Sequence, residues 1–207
     1  MSSLNVTIIG DSIVSNSINK KKISWANELM NIVRRYNKCR IRVKLLSKIG
    51  INSRGILNEI PDFFLKIKLK NILIIQIGIN DSWYYKSLKG VANVSIISFQ
   101  KNLIEIIDKS RIYGFKKIYF LNYHKLYNNR IEGNKKTIDQ NLNKYNSKIK
   151  QICKQKNLKL ININKYTKKR NLKITSRDKI HLNQKGAKFY ANIIFRELLK
   201  NKELPNV

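Results

Sequence analysis

The sequence predicts a three-layer α/β/α sandwich, in which helices cover both faces of a doubly wound parallel sheet. Three observations predict it. Short runs rich in Ile, Val, Leu and Tyr alternate with longer segments whose apolar residues recur at three- and four-residue spacing, a β-α-β-α rhythm. Most of the short runs are nearly continuous in apolar residues, the pattern of parallel strands covered on both faces. Residues able to do chemistry then follow directly after several of these runs, where an open parallel sheet keeps its ligand site.

Taken in order, the first strand is expected over Leu4 to Ile9. The helix after it, Trp25 to Tyr36, carries apolar residues at 25, 26, 29, 30, 32, 33 and 36 behind a Ser24 N-cap. Strands two and three fall at Ile41 to Leu46 and Ile72 to Ile77. A helix over Ile96 to Ile112 ends at Tyr113-Gly114, where glycine suits a left-handed cap. Strand four is Lys117 to Asn122, and Thr137-Ile138-Asp139-Gln140 has capping-box form before a helix with apolar positions 142, 145, 149, 152 and 153. Strand five, Leu158 to Ile163, and a last helix from Gln184 to Leu199 complete the set. Right-handed crossovers between parallel strands give the sandwich. With no internal repeat, low-complexity linker or composition break, residues 1–207 are expected to form one domain.

Composition excludes several classes. With 43% apolar residues, 2 Pro and 8 Gly, the chain is neither disordered nor collagen-like, and no apolar run reaches the roughly 18 residues of a membrane span. The amino end, MSSLNVTIIG, has no basic region or cleavage site, so it reads as a core strand rather than a signal peptide, and a cytoplasmic location is expected. Cys39 and Cys153 lie far apart with no Cys/His cluster nearby, so they are expected to be ordinary thiols without a metal or disulfide. The net charge of +31 raises nucleic acid or another polyanion as a partner. Yet Ile (34), Lys (33) and Asn (27) make up nearly half of the chain while Ala appears 4 times, the bias that A+T-rich codons produce. The basic residues are spread along the whole chain, with short clusters at Lys20 to Lys22 and Lys168 to Arg170. The expectation is therefore incidental, salt-sensitive binding and no specific nucleic-acid partner.

Four blocks remain. Strand one ends in Gly10-Asp11-Ser12; strand two is followed by Gly50-Ile51-Asn52-Ser53-Arg54-Gly55; strand three ends in Gly78-Ile79-Asn80-Asp81; and Asp178-Lys179-Ile180-His181 precedes Gly186 and the last helix. In these blocks the chain resembles the SGNH (GDSL-type) hydrolases, which carry GDS, a loop glycine after the second strand, GxND and DxxH in that order. A shuffled chain of this composition would contain GDS at a rate of roughly 2%, GxND roughly 3% and DxxH roughly 6%, so their joint occurrence in order is far more specific than any one of them. The resemblance spans positions 10 to 186 and implies a five-stranded parallel sheet of flavodoxin-like form.

Ester cleavage needs an activated hydroxyl, a base within its reach and a third group that fixes the base's tautomer. Ser12, His181 and Asp178 fit these roles, and the i, i+3 spacing lets one tight loop present both acid and base. The resemblance implies an oxyanion hole made of the Ser12 N–H, the Gly50 N–H and the Asn80 side-chain amide. Gly55 is the second candidate for the glycine donor, and the usual residue after the first block, Leu, is replaced here by Ile13. Asp11 and Asp81 read as scaffold hydrogen-bonders. Trp83 and Tyr84, with Tyr85, are candidates for the wall of a substrate pocket, against a plain packing role. His124 is a candidate to reach the site from its loop, against a loop role without chemistry, and Phe189 and Tyr190 read as core. No cofactor and no metal are implied. The expected function is a serine esterase acting on a short acyl or O-acetyl ester of a small molecule or glycan, in a shallow open cleft. Alternatives are an acyltransferase on the same scaffold, or a non-catalytic basic module that binds nucleic acid or another polyanion.

Overall fold

Side-chain alternation along the strands decides how the layers form. In the computed structural model, which describes residues 3–15, 24–37, 40–84, 90–168 and 173–204, Leu4, Val6 and Ile8 of the first strand join one apolar cluster and Ile9 joins another. Ile72 and Ile74 against Leu73 and Ile75, and Tyr119 and Leu121 against Ile118 and Phe120, divide in the same way. Each face therefore has its own core.

The strands are β1 (Ser3–Gly10), β2 (Arg40–Ser47), β3 (Ile72–Gln76), β4 (Lys117–Leu121) and β5 (Lys159–Ile161). All neighbours are parallel, in the order β2-β1-β3-β4-β5. The helices are α1 (Ser12–Ser15), α2 (Trp25–Asn37), α3 (Ser53–Leu65), α4 (Ile96–Ile112), α5 (Ile138–Gln155), α6 (Ile163–Lys168) and α7 (Gln184–Lys200). On one face α2 contributes Trp25, Leu29 and Val33, and α7 contributes Tyr190, Ile194 and Leu198. On the other, Ile56, Ile60 and Phe64 of α3, Phe99, Leu103 and Ile106 of α4, and Ile149 and Ile152 of α5 pack with Cys153. Fully burying one such side chain is worth about 1.5 to 3 kcal/mol, so the two clusters carry the fold.

The α/β/α class and the five parallel strands are as the sequence predicts. The Ser24 hydroxyl accepts the Ala26 N–H at 3.1 Å, Gly114 adopts φ 94°, and Thr137 and Gln140 form a reciprocal capping box. The fifth strand is shorter than the apolar run suggests. The Asn162 side chain accepts the Lys165 N–H at 3.1 Å, which caps a helix start and takes Ile163 out of the sheet. Lys20 to Lys22, Cys39, Tyr85, Lys169 and Arg170 lie outside the described residues. No helix among the described residues is long and apolar enough to cross a membrane.

Strand register sets the site. Gly10 at the end of β1 pairs with Ser47 of β2 on one side and Gln76 of β3 on the other. Ser12, Gly50 and Asn80 therefore leave the sheet from one level of one rim.

Candidate active site

Ser12 opens α1 immediately after β1, and this turn needs glycine before it. A Cβ on Gly10 would lie 2.2 Å from Val14 Cγ2 and 2.7 Å from the Gln76 carbonyl oxygen. The strand can turn into the helix only because that atom is missing. Ser12 is 6% exposed. Its hydroxyl lies 2.9 Å from His181 Nε2, and His181 Nδ1 lies 2.6 Å from Asp178 Oδ2. A carboxylate only accepts, so the neutral imidazole carries its proton on Nδ1 and leaves Nε2 to accept from Ser12.

Asp178 and His181 come from a loop shaped largely by its own bonds. The Ile180 and His181 N–H groups donate to Asp178 Oδ1 at 2.9 and 3.0 Å, the Ser176 N–H donates to the His181 carbonyl at 2.7 Å, and Thr175 bridges Leu182. Asn183 caps α7 through Gly186 N at 2.8 Å and ties back to the Lys173 and Thr175 carbonyls. Burial works against the Asp178 charge, but the Ile180 N–H, the His181 ring and the His181 N–H outweigh it and hold the carboxyl below its ordinary value.

On the opposite side the Gly50 loop is fastened to the Asn80 loop. The Ser53 N–H donates to both Asp81 oxygens at 3.0 and 3.1 Å, the Ser53 hydroxyl donates to Asp81 Oδ1, and the Asn102 amide donates to the Ser53 hydroxyl at 2.8 Å. One Asn80 amide proton is given to the Ile51 carbonyl at 2.8 Å. Gly50 sits at φ 72°, a left-handed conformation natural to glycine. The two candidate glycines differ in the state of their N–H groups. Gly55 N–H is engaged by Asn52 Oδ1 at 3.0 Å as the α3 cap, whereas no hydrogen bond to the Gly50 N–H is found among the described residues.

Asp11 and Asp81 are fully buried and take no part in the Ser12–His181–Asp178 chain. Asp11 accepts the Ile13 N–H at 2.9 Å and the Tyr123 hydroxyl, and Ser47 Oγ donates to the Asp11 carbonyl at 2.7 Å. Burial pushes Asp11 up to about 7, against the pull of its Tyr123 and Ile13 bonds, and Asp81 up to about 6, against its Ser53 bonds. Their hydrogen bonds are those of scaffold carboxyls.

Trp83 and Tyr84 are half-buried at the end of the Asn80 loop. The Arg130 guanidinium lies 4.7 Å from the Trp83 ring, and the Tyr84 N–H donates to Glu132 at 3.2 Å. His124 corrects an expectation. It has no exposed surface, and its Nδ1 is 2.7 Å from the Tyr190 hydroxyl, so it cannot line a substrate cleft as it stands. Tyr190 is core, as expected, but with a hydroxyl that serves His124. No partner for Ser47, Ser53, Asn102 or Tyr123 can be read from the sequence, because those partners lie 28 to 112 residues away in the chain.

Comparison with known proteins bears on the family and the fold. The sequence profile of the GDSL-like lipase/acylhydrolase family matches residues 6–194. Among solved structures, an acetylxylan esterase from Geobacillus stearothermophilus superposes with a TM-score of 0.78 at 17% identity, covering 94% of each chain. A second acetyl xylan esterase gives 0.77 at 20% identity, covering 94% of this chain and 100% of its own. A lipase/acylhydrolase from Enterococcus faecalis gives 0.75 at 16% identity over 96% of each. At these identities the structural likeness speaks for the fold. No curated protein matches the sequence.

Proposed function

We propose, from the premise that this chain belongs to the GDSL-like lipase/acylhydrolase family and is a hydrolase acting on ester bonds, that it cleaves small carboxylic esters through an acyl-Ser12 intermediate. The observation that carries the reading is the unbroken chain Ser12 Oγ to His181 Nε2 at 2.9 Å and His181 Nδ1 to Asp178 at 2.6 Å. Ser12 Oγ attacks the acyl carbon while His181 Nε2 takes its proton, and the Asp178 carboxylate stabilises the imidazolium that forms. The oxyanion is received by the Ser12 N–H, the Gly50 N–H and the second proton of the Asn80 amide. Collapse breaks the bond to the alcohol, which leaves with the proton from Nε2. Water then gives its proton to Nε2, attacks the acyl-enzyme and releases the acid and Ser12. The acetyl group is the favoured acyl group and a glycan hydroxyl the favoured leaving group, a reading supported by the two acetylxylan esterases that share the fold.

The test is a panel of nitrophenyl esters from acetyl to dodecanoyl, together with acetylated sugars, run on the wild type and Ser12→Ala. Turnover confined to the wild type and highest for acetyl esters is expected, with covalent labelling of Ser12 by an organophosphonate. Equal rates in both proteins would reject the acyl-Ser12 pathway.

A further inference from the structure

Ser47 ends β2 in register with Gly10, the last residue of β1, and so stands beside the turn that carries Ser12. Its hydroxyl lies 2.7 Å from the Asp11 carbonyl oxygen. A carbonyl oxygen only accepts, so Ser47 Oγ is the donor. The same oxygen takes the Val14 N–H at 3.1 Å, as the start of α1 requires. The Asp11 carboxyl is held separately, by the Ile13 N–H and the Tyr123 hydroxyl, so among the described residues Ser47 is the side chain that bears on the carbonyl itself. The Asp11 carbonyl and the Ser12 N–H are the two ends of one peptide unit. That unit is planar and trans, so its C=O and N–H point in opposite directions, and whatever fixes the oxygen fixes the line along which the N–H is presented. Ser12 is the first residue of α1, so its N–H has no acceptor within the helix, and no hydrogen bond from it to another group is found among the described residues.

We infer that Ser47 is a positioning residue of the oxyanion hole, whose hydroxyl acts through the Asp11 carbonyl to aim and strengthen the Ser12 N–H. Two effects combine. A hydrogen bond to the carbonyl oxygen polarises the peptide and makes the N–H at its other end a better donor. The same bond steadies the plane of a peptide that sits at a sharp strand-to-helix turn, and a donor out of line with the oxyanion loses much of its effect on the transition state. The bond goes to neither His181 nor Asp178, so it acts on the charge that develops in the transition state and not on the base. The inference rests on the reading above in which the Ser12 N–H receives the oxyanion.

Two measurements test it, and the first needs no substrate. In amide proton–nitrogen spectra a donor on the Asp11 carbonyl moves the Ser12 signal downfield, so Ser47→Ala should move that signal upfield and leave the His181 amide in place. Ser47→Thr, which keeps the hydroxyl, should hold Ser12 near its wild-type position. Kinetics with nitrophenyl acetate come second, at a temperature well below unfolding. Ser47→Ala is expected to lower kcat by about tenfold at nearly unchanged KM, less than the roughly hundredfold loss of a deleted donor because the N–H itself remains. Ser47→Thr should recover most of the rate, and Ser47→Cys, whose thiol is a weak donor, should fall between the two. An unmoved Ser12 amide signal, or an unchanged kcat in folded Ser47→Ala, would overturn the assignment. So would equal kcat losses in the Ala and Thr variants, or a rise in KM in place of the fall in kcat, which would mean a packing role. If the wild type turns over no ester at all, the esterase reading fails, and the amide spectra still decide whether Ser47 sets the Ser12 N–H.

Discussion

Asp11 precedes Ser12 in the chain and Asp178 reaches it through His181, yet their surroundings shift the two carboxyls in opposite directions. Asp11 has no solvent exposure and is pushed up to about 7, whereas the Asp178 side chain is 41% exposed and held below the ordinary carboxylate value. The same division separates the two halves of the rim. The half that carries Ser12, Gly50 and Asn80 is fastened by hydrogen bonds that join β2 to Asp11 past β1, and α3 both to Asp81 past β3 and to α4. The half that carries Asp178 and His181 is a self-bonded loop open to water on one side. The difference teaches what each carboxyl can do. A carboxyl whose charge burial opposes serves to organise the hydroxyl and N–H groups bonded to it, and a carboxyl held in its charged form can stabilise an imidazolium.

The largest expected effect lies in the open half. Asp178→Asn keeps the shape of the side chain but replaces an obligatory acceptor with an amide that can turn a donor towards His181 Nδ1. That favours the wrong tautomer and leaves Ser12 without its base. We expect kcat to fall by about 10⁴ while the melting temperature stays close to that of the wild type, since the site is partly exposed. A loss below tenfold, or a large drop in melting temperature, would erase the contrast between the two halves. The Asn substitution in the closed half should behave the other way and act on stability.

That reversal has a definite sign. Asp11 binds its proton more tightly in the folded protein, at about 7, than in the unfolded chain near the ordinary value of 3.8. Its contribution to stability is therefore complete below about pH 4 and is lost as the pH rises through about 7. Asp178, held low, behaves oppositely and costs stability only under more acidic conditions. Asp11→Asn mimics the protonated form, so it should remove much of the wild-type decline, about 3 to 4 kcal/mol between about pH 4 and about pH 8 in denaturant unfolding. Asp81, pushed up to about 6, adds a smaller slope of the same sign. A wild-type slope that survives in Asp11→Asn would show that Asp11 is charged in the folded state.

How much of this was legible in the sequence follows from the range of each interaction. The strands could be read because burial on both faces writes itself into consecutive residues, and the Ser24 and Thr137 caps because their partners lie within three residues. The four blocks could be read because each has its own short spacing, three of them just past a strand end and the fourth just before α7, and the structure brings Ser12, Asp178 and His181 into one hydrogen-bonded chain. The end of β5 was misplaced because Asn162 stops an apolar run that, on periodicity alone, continues to Ile163. His124 stays open between two roles in the sequence because its partner, Tyr190, lies 66 residues away, and nothing local tells a buried imidazole from one facing a cleft. The Ser53–Asp81 fastening is hidden in the same way, since neither residue signals the other.

The smallest of the expected effects tests whether the closed half does chemistry as well as support. Asn80 has two amide protons, and the Ile51 carbonyl takes one at 2.8 Å. The second is the proposed oxyanion donor, so Asn80 belongs to both the scaffold and the site. Asn80→Ala removes both bonds, and the two losses have different signatures. Losing the oxyanion donor weakens only the transition state, which lowers kcat by about a hundredfold and leaves KM almost unchanged. Losing the tie to Ile51 loosens the Gly50 loop, which lowers the melting temperature and would disturb ground-state binding as well. Ser53→Ala serves as the comparison, because it removes the hydroxyl bonds to Asp81 and Asn102 while leaving the Asn80 amide in place. A lower melting temperature with a nearly normal kcat is expected for Ser53→Ala, and a hundredfold lower kcat for Asn80→Ala. If the two variants lose activity in proportion to their loss of stability, Asn80 is scaffold alone and the oxyanion is met by backbone donors.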